Sequence, residues 1–245
     1  TEIYTLSLHD ALPIYKTDLK NAERILCSKL KKDTDGPVSR ILNRPISLMI
    51  SKVLLKTGIT PNQISVLSFI VGLAGASLFF FGEYFYLILG GIIIHIHSIV
   101  DGCDGEIARL KLRRTKYGGY LDSFLDRYVD AAIILGLTYG YWSISGDSTI
   151  WIMGFAAIIG SFINTYTGEK YDSVFKTESG TGRIKFRVGR DVRLLIIVVG
   201  ALTNQIPILL IIVAVLANFE AIRRLILFRN KLGDDVTDTH IEFAN

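Results

Sequence analysis

Apolar residues in this chain gather in long runs separated by short polar or basic stretches, and few of the runs alternate faces as a helix in water would. A bilayer helix needs about 20 apolar residues, and several runs approach that length. They predict spanning helices at 62–82, from 84 through the acidic pair Asp101/Asp104, and at 118–143, 149–166, 191–203 and 206–228. Gly82-Glu83, Ser145-Gly-Asp-Ser and Thr203-Asn-Gln read as turns joining alternate pairs. Ahead of the first run, 45–57 mixes Ile46, Met49, Ile50, Val53 and Leu54 with Lys52 and Lys56, and Arg44 stands just before it. That is a short basic amphipathic helix suited to the membrane interface. Thr60-Pro61 supplies a polar cap and a first-turn proline for the next helix. The pattern predicts an all-α integral membrane protein of about six transmembrane helices plus an N-terminal interfacial helix.

Composition agrees, with 50% hydrophobic residues and a mean hydropathy of +0.40 over 245 residues. All 27 Lys and Arg fall before the first run, within 109–127, within 170–193 or after Glu220, and the three short turns hold none. Basic residues collect on the cytoplasmic side of membrane proteins, so the pattern predicts cytoplasmic termini and a cytoplasmic acid cluster. The net charge of +4 is then a topology and lipid-surface signal, with no nucleic-acid partner implied. Two cysteines, Cys27 and Cys103, are too few for a disulfide framework, and Cys103 reads as a small packing residue. Residues 1–14 resemble an adapter-derived, non-native segment and are set aside. Residues 15–36 read as a helix and linker left from an upstream domain, 37–232 as the membrane domain and 233–245 as a polar tail.

The chemistry lies at Asp101-Gly-Cys-Asp104-Gly105-Glu-Ile-Ala108-Arg109, followed by Gly118, Asp122 and Asp126. Acids three or four apart share a helix face, so Asp101 pairs with Asp104 and Asp122 with Asp126. If the two segments pack antiparallel, four carboxylates meet in one pocket. Like charges so close need a counter-ion, and an all-oxygen set favours Mg²⁺, Mn²⁺ or Ca²⁺ over zinc, with two ions suiting four carboxylates. Arg109, one turn beyond Gly105, can clamp phosphate. His95 and His97 are two apart and cannot share a face; His97 falls on the acid face as a polar packing or supporting residue.

That spacing, D-x₂-D-G-x₂-A-R-x₈-G-x₃-D-x₃-D, resembles the signature of the CDP-alcohol phosphotransferase (CDP-alcohol phosphatidyltransferase) family of membrane enzymes. The resemblance implies Mg²⁺-dependent attack of an acceptor hydroxyl on a CDP-linked alcohol, with release of CMP, in a homodimer. It implies that Asp101 and Asp122 bridge two metals, that Asp104 completes one site, and that Asp126 completes the other and acts as general base. It places Gly105, Ala108, Arg109, Thr115, Asn62 and Ser65 around the CDP-alcohol. Asp35-Gly-Pro-Val-Ser-Arg, Asn43-Arg-Pro-Ile-Ser and Ile59-Thr-Pro-Asn-Gln-Ile-Ser resemble the branch whose membrane domain follows an inositol-phosphate cytidylyltransferase. That branch implies CDP-inositol as donor and inositol 1-phosphate as acceptor.

Arg190 and Arg193, three apart at a membrane helix end and opposite the acids, suit capture of a phosphate on the acceptor, with Lys185 in the same basic loop. Two other readings compete. One is a phospholipid synthase using CDP-diacylglycerol. The other is a divalent-cation transporter, disfavoured because the acids cluster near one membrane face and Gly105 and Arg109 have no use in a channel.

Overall fold

The structure, a computed structural model, describes residues 38–179 and 189–242, with the backbone path alone at 175–179 and 231–242. The expectations for 1–36 and for Lys185 lie outside the described residues. A π-helical turn at Ser39–Asn43 leads into α1 (Arg44–Leu55). Then follow α2 (Pro61–Phe79), α3 (Tyr84–Leu110), α4 (Lys116–Ser145), α5 (Ile150–Ser179), α6 (Arg190–Leu202) and α7 (Ile206–Glu242).

Local chemistry sets the helix ends. Thr60 and Gln63 form a reciprocal capping box with Pro61 in the first turn of α2, which satisfies N–H groups the helix cannot. Thr115 Oγ1 accepts the Gly118 N–H at 2.9 Å and starts α4. Between α4 and α5, Asp147 Oδ1 accepts from the Thr149 N–H and hydroxyl, which holds this exposed carboxyl below its ordinary range. Two helices run further than the hydropathy predicts: α5 continues past 166 to Ser179, and α7 past 228 to Glu242, so the polar tail is helical to that point. The apolar run marks where hydropathy falls, and nothing at either position breaks a helix.

Helices α2 to α7 form a ring: α3 packs on α2, α2 on α4, α4 on α5, α5 on α7, α7 on α6, and α6 back on α3. The acid-bearing helices α3 and α4 share no extended packed interface; α2 packs along both. Close approach is possible because α2 is small at the contacts. A Cβ on Gly72 would come within 3.0 Å of His97 Nδ1 and 2.8 Å of Val129 Cγ1, and a Cβ on Gly140 of α4 would overlap the Phe79 carbonyl. The acid faces therefore look at each other across a gap.

One half of the ring is sealed by a core of Phe79, Leu87, Ile94, Ile133, Leu137, Leu209, Leu210 and their neighbours from all six helices. The other half holds the acids. Outside, large apolar side chains such as Leu67, Ile70, Phe85, Ile92, Ile152, Phe155, Val215 and Phe219 are exposed along the helices, as bilayer-facing residues are. Among the described residues, four helices, Pro61–Phe79, Tyr84–Leu110, Ile150–Val174 and Ile206–Asn230, are long and apolar enough to cross a membrane; α4 carries the acids and α6 has only 13 residues.

The interfacial helix has its polar face inward. Arg44, Ser47 and Ser51 are buried against α3, while Ile46, Met49 and Val53 are exposed. That arrangement suits a helix with lipid on its outer side. The buried hub is Glu106 of α3, with no exposed surface. It accepts from Arg44 Nη1 at 2.5 Å, Ser47 Oγ at 2.7 Å and Ser51 Oγ at 2.7 Å. Asn43 Nδ2 donates to Ser98 Oγ, and the Ser39 N–H to Asp191 at the start of α6.

Candidate active site

The site forms where the last turns of α3, the first turns of α4 and the N-terminus of α6 face one another beside α2. Asp101 and Asp104 come from α3, Asp122 and Asp126 from α4. Asp104 is buried and accepts from Ser65 Oγ of α2 at 2.5 Å. Asp122 is its neighbour across the gap. Asp101 and Asp126 meet through a third element: Arg190 Nη1 stands 2.9 Å from Asp101 Oδ2 and 2.8 Å from Asp126 Oδ1. The convergence read from the spacing thus forms, although α3 and α4 do not pack directly.

Arg190 has two further partners. Its Nε donates to Asp130 Oδ1 at 2.9 Å, and its Nη2 lies 2.9 Å from His97 Nε2. A guanidinium only donates, so Nε2 accepts. On the other side of the ring, His97 Nδ1 is 2.9 Å from the Ser68 carbonyl, which only accepts. His97 is therefore the neutral tautomer with its proton on Nδ1. Arg193 Nη2 donates to Asp130 Oδ2 at 3.2 Å. Arg127 Nη2 stands 3.6 Å from Asp126 Oδ2, and its Nε and Nη1 are buried without a hydrogen bond.

The remaining sequence-derived residues cluster nearby with less direct contacts. Asn62 Oδ1 and Thr115 Oγ1 would each lie 3.0 Å from a Cβ on Gly118, so the α2 and α4 N-termini close on a glycine. Thr115 Oγ1 accepts the helix-cap N–H, which leaves its own O–H as a donor, and the Ser65 hydroxyl donates to Asp104. The Arg109 guanidinium folds back over Gly105, with Nη1 3.4 Å from where a Cβ would sit. Ala108 is half-buried on the same helix.

Asp130 and Glu106 were not singled out from the sequence. Asp130 had a signal, since Asp122, Asp126 and Asp130 repeat every four residues down one face of α4. Glu106 had none beyond being an acid inside the signature.

The donor set suits a hard divalent cation. Carboxylate oxygens dominate, and Asp101 and Asp126 bring one oxygen each within 4.8 Å of each other and of a His97 ring nitrogen, the His97 nitrogens being taken up by Arg190 and Ser68. Cys103 is buried and turned to the Ser47 and Ile99 carbonyls, so it offers no soft ligand.

The profile of the CDP-alcohol phosphatidyltransferase family matches residues 58–219, about two thirds of the chain. The bifunctional IPC transferase and DIPP synthase of Aquifex aeolicus is 35% identical over 89% of this chain and 50% of its own length. The enzyme of that name from Rubrobacter xylanophilus is 37% identical over 85% and 46%. The chain thus spans about half the length of these relatives. The archaetidylinositol phosphate synthase of Pyrococcus horikoshii is 30% identical over 81% of this chain and 94% of its own. Among solved structures, the Mycobacterium tuberculosis phosphatidylinositol phosphate synthase with CDP-DAG bound superposes with a TM-score of 0.63 at 25% identity, covering 74% of this chain and 92% of that one. The same synthase has also been solved with manganese and citrate. The acid signature, the helical ring that gathers it and these matches together mean that the chain belongs to the CDP-alcohol phosphatidyltransferase family of membrane transferases.

Proposed function

We propose that this domain transfers a phosphoalcohol group from CDP-inositol to a hydroxyl of inositol 1-phosphate and releases CMP. The observation that carries the reading is the placement of Arg190 among Asp101, Asp126 and Asp130: a guanidinium, which suits phosphate, stands at the edge of a carboxylate cluster that suits a divalent cation. Asp101, Asp104, Asp122 and Asp126 would hold two Mg²⁺ or Mn²⁺ ions. When bound, such ions neutralise a diphosphate and polarise its phosphorus.

The chain's own groups do the rest. Gly105, Ala108, Arg109, Asn62, Ser65 and Thr115 line the approach for the CDP moiety. Arg190 and Arg193 hold the acceptor phosphate, and Asp126 accepts the proton of the acceptor hydroxyl. The hydroxyl oxygen bonds to the β-phosphorus, the bond from that phosphorus to the CMP oxygen breaks, and CMP leaves. A six-span topology with the site and both described ends on the cytoplasmic side follows from the basic residues, and the family resemblance favours a homodimer.

A second reading, a CDP-diacylglycerol-type lipid donor, is favoured by the match along nearly the whole Pyrococcus synthase. The higher identity to the bifunctional enzymes supports the inositol donor. The test is CMP release by purified protein in lipid nanodiscs with Mg²⁺ and inositol 1-phosphate. CDP-inositol is expected to turn over faster than CDP-diacylglycerol, and the reverse order moves the function to the lipid synthases.

A further inference from the structure

We infer that Asp130 is a positioning residue which, together with His97, aims Arg190 at the acceptor phosphate. The inference deepens the reading of Arg190 and Arg193 as the acceptor clamp and rests on it.

Asp130 lies outside the acid signature, one turn past Asp126 and 6% exposed. Its two oxygens divide between two cations: Oδ1 takes Arg190 Nε at 2.9 Å and Oδ2 takes Arg193 Nη2 at 3.2 Å. One carboxylate thus fixes both arginines relative to each other. Arg190 is gripped a second time at Nη2 by His97 Nε2, whose acceptor state is set by the Ser68 carbonyl on the far side of the ring. With Nε and Nη2 both held, the planar guanidinium cannot turn, and Nη1 is presented to Asp101 and Asp126.

The two grips come from different helices, α4 and α3, so they fix the group across the gap where substrate would enter. A long side chain loses rotamer freedom when it binds; here that freedom is removed beforehand. An acceptor phosphate arriving beside Asp126 would take the place of a carboxylate at Nη1, whose position is already set, and an acceptor without phosphate gains nothing from it.

The experiment is steady-state kinetics in nanodiscs with CDP-inositol and inositol 1-phosphate, alongside Mn²⁺ binding without substrate. Asp130→Asn keeps the shape and loses the charge that holds two guanidiniums. It is expected to raise the acceptor KM about ten- to a hundredfold, the worth of one charge-assisted bond. The donor KM and the Mn²⁺ affinity are expected to stay within about threefold, and kcat to fall far less than KM rises. Combined with Arg190→Ala, its effect should be smaller than the product of the two single effects, because both act through one guanidinium. His97→Leu should raise the acceptor KM in the same way and His97→Gln much less, which keeps the test open if Asp130→Asn does not fold.

If Arg190→Ala and Arg193→Ala raise the acceptor KM while Asp130→Asn and His97→Leu do not, the positioning role is wrong and the clamp stands. If neither arginine variant moves it, the clamp itself is wrong and the positioning role falls with it. Loss of Mn²⁺ binding in Asp130→Asn would make Asp130 a metal ligand and overturn the inference, as would effects that multiply.

Discussion

Replacing Arg44 with Met tests how the surface helix is held to the helix that carries the acids. Glu106 is fully buried, and Arg44 Nη1 is its only cationic partner among the ion pairs of the described residues, at 2.5 Å. Without Arg44, a carboxylate remains buried with only the Ser47 and Ser51 hydroxyls, both at 2.7 Å. Removing one partner of a buried pair costs about 3–5 kcal/mol, mostly from the charge left behind. At about 2–4 °C per kcal/mol for a chain of this length, the melting midpoint in detergent should fall by about 6–20 °C. Adding Glu106→Gln removes the stranded charge and keeps an acceptor for the serines, so the double variant should recover at least half of the loss. The assay is a melting series of wild type, Arg44→Met, Glu106→Gln and the double variant at one detergent concentration. A drop under about 3 °C in Arg44→Met, or a double variant no better than Arg44→Met, would refute the hub.

Three further outcomes are expected. Asp101→Asn and Asp122→Asn should each abolish CMP release and weaken Mn²⁺ binding measured without substrate; near-wild-type values in either would remove the two-ion proposal. Asp126→Asn keeps one ligating oxygen but cannot take a proton, so turnover should fall about 10²–10⁴-fold while CDP-alcohol binding survives better than in Asp101→Asn. A joint fall in binding and turnover would make Asp126 mainly a ligand. A cysteine placed at Ser145 should react with an impermeant reagent outside intact cells and one at Thr177 should not; the reverse pattern inverts the orientation.

The acids were legible because helical geometry is local: a spacing of three or four fixes which carboxylates share a face whatever the helix packs against. The cap at Thr60 was legible for the same reason, although its reciprocal partner Gln63 was not singled out. What the sequence could not supply was the partner of each face. That α2 would lie along both α3 and α4 depends on Gly72, Ser65 and Ser68 meeting His97, Asp104 and Val129, residues far apart in the chain. The same holds for Arg190. Its spacing from Arg193 suggested a shared face, but its contacts with Asp101, Asp126, Asp130 and His97 arise only when the ring closes and brings α6 to α3. Thr115 shows a different limit. A threonine ahead of a helix can cap it, face a ligand or do both, and the sequence does not separate these uses; in the structure its oxygen accepts the Gly118 N–H. Span counting met a third limit, because α4 places acids on one face of a helix and so lowers the hydropathy that marks a span.

The division of the ring into an apolar half and an acid half has an energetic consequence. In the apolar half, Phe79, Ile94, Ile133 and Leu137 need nothing but close packing. In the acid half the equivalent volume is filled by Asp104, Asp130, His97 and Arg193, all buried, and each stays buried only while its partner is present. Stability there is set by pairing rather than by area, so a substitution that spares the core can still loosen the site. Pairing also supplies what catalysis requires. A guanidinium that must satisfy Asp130 and His97 at once has one orientation, and carboxylates held by Ser65 and Arg190 have few. The buried polar groups thus give up the stability of an apolar core, and in exchange they fix the geometry that phosphoryl transfer needs before substrate arrives.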